Sequence, residues 1–179
     1  ALMFLDIKNF KATNELFGIE GGDSILQDFY QRIGTIWRPA VSGRLDTDHF
    51  ACLVRQDHIN MDTLSRDLKL NIQFKGRGMK LYGYCGIYHV EAGDVSVISM
   101  IDRAKLAEEC ILSDHMQPFA VFDDSMRRIY IDQMELMSEY ETAIANEEFK
   151  VYYQPVVEAS TGNLISAEAL VRWVHPQRG

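Results

Sequence analysis

Phe4-Leu5-Asp6-Ile7-Lys8-Asn9-Phe10-Lys11, followed by Asn14-Glu15, Gly18 and Gly22-Asp23, is the stretch that decides the fold. Leu2 to Ile7 is a short apolar run, which predicts a buried strand. Asp6 stands at its end, where a carboxylate on a central strand can meet a ligand. Asn9 to Leu16 has helical spacing, with Phe10, Thr13, Asn14 and Phe17 about a turn apart, and Gly18 breaks it. Gly21-Gly22-Asp23-Ser24 opens a second helix that runs to Trp37 with the stripe Ile25, Phe29, Ile33 and Ile36, and Pro39 ends it. Read on their own, Asp23 is an N-cap as readily as a ligand residue, and Asn14 serves the backbone as readily as a site.

Outward from there, Val41–Leu45 and Phe50–Val54 predict a hairpin around Asp46-Thr47-Asp48. Met61–Ile72 predicts a helix, Gly76-Arg77-Gly78 a turn and Leu81–Val90 a strand. Val95–Leu112 predicts a helix with Val97, Met100, Ile101, Ala104 and Ala107 on one face, and Phe119–Phe122 a final strand. From Asp123 the texture changes. Met126, Ile129, Tyr130, Met134, Met137, Tyr140 and Ile144 form a helical stripe through about Asn146. A Met-rich stripe predicts packing, here against a neighbouring domain or a partner chain. Phe149–Val157 and Leu164–Trp173 predict a second hairpin around Thr161-Gly162-Asn163.

The 179 residues, 47% of them hydrophobic, suffice for one sizeable core and a fragment of a second. A net charge of -8 argues against a nucleic-acid or anionic-membrane surface, both of which need clustered Lys and Arg. No apolar run is long enough to suggest a membrane span, and no signal segment opens the chain. The chain begins inside an apolar run without an initiator Met, so it is expected to be cut from a longer, cytoplasmic protein whose sensor or membrane segments lie outside it. Cys52, Cys85 and Cys110 are far apart and without zinc-ligand spacing, which predicts free thiols, buried or half-buried.

The opening stretch resembles the GGDEF family of diguanylate cyclases. That family reads Asp-Ile-Asp-x-Phe-Lys, then Asn-Asp, then Gly-His-x-x-Gly-Asp; here Asp6-Ile7, Phe10-Lys11, Asn14-Glu15, Gly18 and Gly22-Asp23 stand in matching register. The resemblance continues to about Asp123 and lacks the family's helix before the first strand. It implies that Asp6 and the Ile7 carbonyl hold a divalent cation on the GTP phosphates, and that Asn14 and Asp23 read the guanine edge. Hard oxygen donors suit Mg²⁺, and an Asn/Asp pair can distinguish guanine from adenine.

The same resemblance exposes losses. The signature falls on Asp46-Thr47-Asp48-His49-Phe50, where only Asp48 and Phe50 match. Two glycines that let backbone approach a nucleotide are replaced by Asp46 and Thr47, which add bulk and charge. His49 replaces a catalytic Glu, and imidazole is a poor ligand for a hard cation. Asp48 keeps a metal carboxylate, so one cation site with Asp6 and Ile7 could persist. The family's phosphate-clamping Lys is replaced by Glu108 and Glu109, and no Lys or Arg occurs between Lys105 and Arg127. The product-inhibition motif falls on Trp37-Arg38-Pro39-Ala40 and is absent.

The last thirty residues resemble the opening of an EAL phosphodiesterase domain: Val151-Tyr-Tyr-Gln-Pro, Thr161-Gly162, Ala167-Glu-Ala-Leu-Val-Arg-Trp-Val-His-Pro and Gly179. The resemblance makes Glu168 a metal ligand, Arg172 a phosphate contact and Gln154 a site-lining residue. A TIM-type barrel needs roughly 250 residues, and one carboxylate cannot hold a catalytic cation pair. The hairpin, lacking barrel neighbours, is expected to pack on the Met-rich helix or pair with another chain's edge.

The implied fold is α+β, an α/β sandwich with a nucleotidyl-cyclase-like, mostly antiparallel central sheet flanked by helices. The expected organisation is a degenerate GGDEF-like domain over 1–123, a linker helix over 124–148 and an EAL fragment over 149–179. The expected function is a catalytically inactive regulatory or GTP-sensing module of a cyclic-di-GMP signalling protein. A weakly active cyclase and a pure interaction or dimerisation module with a relic site are the alternatives. Mg²⁺ is the ion the resemblance implies, weakly held and not required. A guanine nucleotide is the implied ligand, with cyclic-di-GMP bound only by a full EAL domain, no nucleic acid, and self-association or interdomain contact through the linker helix.

Overall fold

The computed structural model describes residues 1–74, 76–111 and 117–178, with Arg77 as backbone only. The chain divides into two compact units, Ala1–Arg128 and Ile129–Gly179.

In the first unit β1 (Leu2–Ile7) is followed by α1 (Phe10–Trp37), the hairpin β2 (Val41–Asp46) and β3 (His49–Leu53), and α2 (Met61–Asp67). Then come the hairpin β4 (Lys69–Phe74) and β5 (Arg77–Tyr88), α3 (Val97–Glu109) and β6 (Phe119–Val121). The sheet runs β2-β3-β1-β5-β4, antiparallel at every one of these pairings, with β6 added parallel to the second half of β5. The mixed sheet flanked by helices is the expected α+β architecture.

Alternation along β1 sorts its side chains onto two faces. Met3, Leu5 and Ile7 join Ile25, Phe29 and Ile33 of α1 in the larger core, and Leu2 and Phe4 join Tyr88, Met100 and Ala104 under α3. Asp6 shares the parity of Leu2 and Phe4, so it ends the α3 face.

α1 is two helices across a kink at Gly18, whose backbone (φ 71°, ψ 177°) a side-chained residue resists. The second helix therefore begins just after Gly18, and Gly21, Gly22 and Asp23 lie inside it rather than at its start. Asp23 is not an N-cap.

The Met61–Ile72 expectation is corrected. The helix stops at Asp67, and Lys69–Phe74 is a strand with Leu70 and Ile72 turned into the core. The expected turn at Gly76-Arg77-Gly78 is shorter, because Arg77 already starts β5. The α3 face is as expected at Met100, Ala104 and Ala107, whereas Val97 is exposed. Leu112, its expected end, lies outside the described residues. Cys52 and Cys85 are buried, with burial pushing the Cys52 thiol up to about 12, and Cys110 is exposed.

α4 (Asp124–Ala145) runs into the second unit, which continues with the hairpin β7 (Phe149–Val157) and β8 (Leu164–Trp173). Ala143 is buried, but Ile129, Met134, Met137, Tyr140 and Ile144 are exposed, so most of the stripe is uncovered within the second unit. The expectation that the hairpin's apolar residues pack on α4 is likewise corrected: Val151, Tyr153, Val157, Ile165 and Val171 are exposed. A two-stranded ribbon has two apolar faces to cover, and one helix is too little cover for them. The ties between α4 and the segment after β8 are polar. His175 Nδ1 accepts from the Gln177 and Arg178 amides at 3.1 and 3.2 Å, so its Nε2–H donates to Glu139 at 2.7 Å. Arg178 pairs with Glu135 at 2.8 Å.

Candidate functional site

The β1 and β3 ends converge with α3 at one corner of the sheet. The β1–β3 pairing places Leu5 opposite Phe50, which brings the neighbouring Asp6 and His49 side by side. The His49 ring lies 5.2 Å from that of Phe4, and its Nε2 lies 3.8 Å from Asp6 Oδ1. Asp6, Asp48 and His49 each bring a donor atom within 4.8 Å of the others.

The β2–β3 turn is held from within. Arg44 donates from Nε to the Asp46 and Thr47 carbonyls at 3.2 and 2.8 Å, and its Nη2 also reaches Thr47. Asp46 Oδ1 meets His49 Nδ1 at 2.5 Å and Thr47 Oγ1 at 3.2 Å. Phe50 is buried under α1 and stacks edge-on against Phe29 at 5.5 Å, a core role.

Gly86 brings α3 onto this corner. It pairs with Phe4 across β1–β5, and a Cβ on it would stand 1.7 Å from the Ala104 carbonyl and 2.6 Å from the Glu108 nitrogen. Only a residue without a side chain lets the helix backbone lie so close, and that contact seats Glu108, 9% exposed, beside Asp6. Burial first, and then the Asp6 charge, push the Glu108 carboxyl up to about 7, with Lys8 opposing. Asp6 is itself raised, first by burial and next by Asp48, while His49 opposes.

The two residues expected to read guanine lie on either side of the Gly18 kink in α1. A Cβ on Gly22 would fall 1.8 Å from Asn14 Oδ1, so the Asn14 side chain lies directly on Gly22, next to Asp23 in sequence. Asp23, Leu26, Gln27, Tyr30, Arg44 and Phe50 line a cleft of about 280 Å³.

In the second unit the β7–β8 register sets Gln154 opposite Glu168 and Lys150 opposite Arg172. By alternation Gln154, Glu168 and Arg172 share one face of the hairpin. Gly179 lies outside the described residues.

Sequence reading singled out Asp6, Asp48, Asn14 and Asp23, and the structure brings Asp6 and Asp48 within reach of His49. It missed Gly86 and His175, whose importance comes from what lies across from them in space. It had Asp46 only as an obstruction.

Residues 1–112 match the family model described as diguanylate cyclase, GGDEF domain. The chain belongs to this family. Residues 137–179 match the EAL domain, so the chain holds a GGDEF domain followed by the opening of an EAL domain, the pairing found in cyclic-di-GMP signalling proteins. The whole chain is 26% identical to the bifunctional diguanylate cyclase/cyclic di-GMP phosphodiesterase MucR of Pseudomonas aeruginosa, covering 27% of it. It is 26% identical to the cyclic di-GMP phosphodiesterase NbdA of the same organism, covering 24% of it. The chain thus spans about a quarter of the length of these curated relatives. Among solved structures, an EAL/GGDEF domain protein from M. capsulatus superposes with a TM-score of 0.55 at 22% identity, over 68% of this chain and 83% of that one. The active GGEEF domain of a diguanylate cyclase from Vibrio cholerae superposes with a TM-score of 0.53 at 16% identity, over 68% of this chain and 81% of that one. These likenesses bear on the fold. Among the described residues no helix is long and apolar enough to cross a membrane.

GGDEF domains use Mg²⁺ or Mn²⁺, and the donors here fit such an ion only in part. The Asp6 and Asp48 carboxylates are hard oxygens of the right kind. The third donor within reach is an imidazole, which suits Mg²⁺ poorly.

Proposed function

We propose that residues 1–123 form a GGDEF module that has lost cyclase chemistry and regulates, or reports guanine nucleotide to, an EAL domain beginning at about Phe149, with 124–148 as the linking helix. The observation that carries this reading is Glu108, a buried carboxylate seated beside Asp6 where the family's cyclases present positive charge to the phosphates. Phosphoryl transfer needs metal ions and placed cations to take up developing charge. Here Asp46, Asp48, Asp6 and Glu108 crowd one corner, answered by Lys8, His49 and the Arg44 guanidinium on the turn. Coulomb repulsion opposes a triphosphate at that corner.

The Asn14 side chain packed on Gly22, and Asp23 lining a cleft with Arg44 and Tyr30, support retained nucleotide sensing over a pure relic, because both residues of the family's guanine-reading pair are present while the phosphate side is altered. In the EAL part, Glu168, Arg172 and Gln154 are proposed to take their family roles once the rest of a barrel surrounds them. Calorimetric titration of the chain with GTP and with ATP, each with Mg²⁺, tests the sensing reading. Weak heat with GTP and none with ATP is expected. No heat with GTP at millimolar concentration reduces the domain to an interaction module.

A further inference from the structure

The Asp46–His49 contact gives the altered signature a positive role. We infer that Asp6, Asp48 and His49 form a site for a borderline divalent transition ion of the Zn²⁺ class, with Asp46 as the carboxylate that orients His49. The inference goes beyond the regulatory reading and involves no nucleotide.

Two independent features support it. The first is the donor set: two carboxylates and an imidazole, mutually within 4.8 Å. An ion bound at about 2.0–2.2 Å from each donor needs them roughly 3–4 Å apart. Asp48 and His49 belong to a partly exposed turn, so side-chain rotation of about 1 Å closes the difference. Imidazole among carboxylates favours Zn²⁺, Co²⁺ or Ni²⁺ over Mg²⁺.

The second feature is the orientation of the ring. Asp46 Oδ1 takes the Nδ1 side of His49 at 2.5 Å, which leaves Nε2 with its lone pair on the Asp6 side, 3.8 Å from Asp6 Oδ1. A carboxylate behind a metal-ligating histidine fixes its tautomer and raises its basicity. Arg44, bound to the carbonyls of Asp46 and Thr47, holds the turn in the conformation that makes this contact. The residues that spoil the family's signature for Mg²⁺-GTP are therefore those that build a histidine ligand and its support.

The test uses the chelator-treated chain and the metals alone, ZnCl₂ and MgCl₂, by equilibrium dialysis and calorimetry. One Zn²⁺ per chain is expected at this site. His49→Ala should weaken it by at least about tenfold, and Asp46→Ala by about 10- to 100-fold. Mg²⁺ affinity should change less than about threefold in both variants. Zn²⁺ affinity unchanged in His49→Ala, or Mg²⁺ weakened as much as Zn²⁺, overturns the inference. A measurement on the unaltered protein guards against variant misfolding. Co²⁺ loading should give a paramagnetically shifted, exchangeable imidazole proton, the Nδ1–H shared with Asp46. Its absence at full Co²⁺ occupancy also overturns the inference.

Discussion

Asp6 at the end of β1 lies near enough to Glu108 on α3 for its charge to act there, and burial first, then that charge, lifts the Glu108 carboxyl to about 7. The folded chain therefore binds a proton there that the unfolded chain, with its Glu at about 4.5, has released. Between those values the native state holds more protons than the unfolded state, so stability falls as pH rises.

Glu108→Gln should remove that slope in metal-free protein. The variant should match the parent near pH 4.5 and exceed it at pH 8 by about 1–2 kcal/mol once solvent screening is allowed for. Urea denaturation at the two pH values measures it. Equal stability of parent and variant at pH 8 would mean that the carboxyl is better solvated than its position indicates.

Gly86→Ala should destabilise the first unit by about 1–3 kcal/mol or more, because the new methyl meets α3 backbone rather than a movable side chain. The urea midpoint checks this. Gly22→Ala should cost less, since Asn14 can rotate away; its effect should fall on GTP binding heat instead.

His175→Ala should free the turn after β8 from α4. Two amides lose their acceptor and Glu139 loses its donor, a cost of about 1–2 kcal/mol in the second unit. Faster hydrogen exchange at Gln177 and Arg178, with exchange in β1 and β5 unchanged, is the expected result.

The legible part of this fold was what periodicity and local punctuation encode. β1 is an uninterrupted apolar run, and Gly18 announces its own kink. The error at Met61–Ile72 arose because two periods overlap. Leu64 and Leu68 are a helical turn apart, while Leu68, Leu70 and Ile72 are two apart, and β5 supplies the partner that makes the second pattern a strand. Gly86 carries no local signal, since its need is set by α3 lying across it. Glu108 could be placed opposite the site by resemblance, but its burial and raised proton affinity are properties of the packed corner. Asp46 read as an obstruction because its bond to His49 exists only once the turn closes. The hairpin and the Met-rich helix showed their elements in the sequence, while their exposed apolar surfaces did not follow from pattern alone.

The altered residues of the turn and of α3 lie on different elements and can be reverted one at a time. Replacing Asp46 and Thr47 by Gly should leave product formation at background, because on the proposed reading Glu108 still stands where the phosphates need positive charge. Adding Glu108→Lys or Glu109→Lys to that pair is the change expected to raise GTP affinity, read by calorimetry. Recovery from the glycines alone would show that α3 is not the barrier.

With cyclase chemistry lost as proposed, this GGDEF domain should make no cyclic-di-GMP. Incubating the chain with millimolar GTP and either Mg²⁺ or Mn²⁺, then separating nucleotides by chromatography with mass detection, tests it most directly. Unconsumed GTP and no cyclic-di-GMP above a protein-free control are expected; product that accumulates with time and with protein concentration would show that the altered corner still catalyses cyclisation.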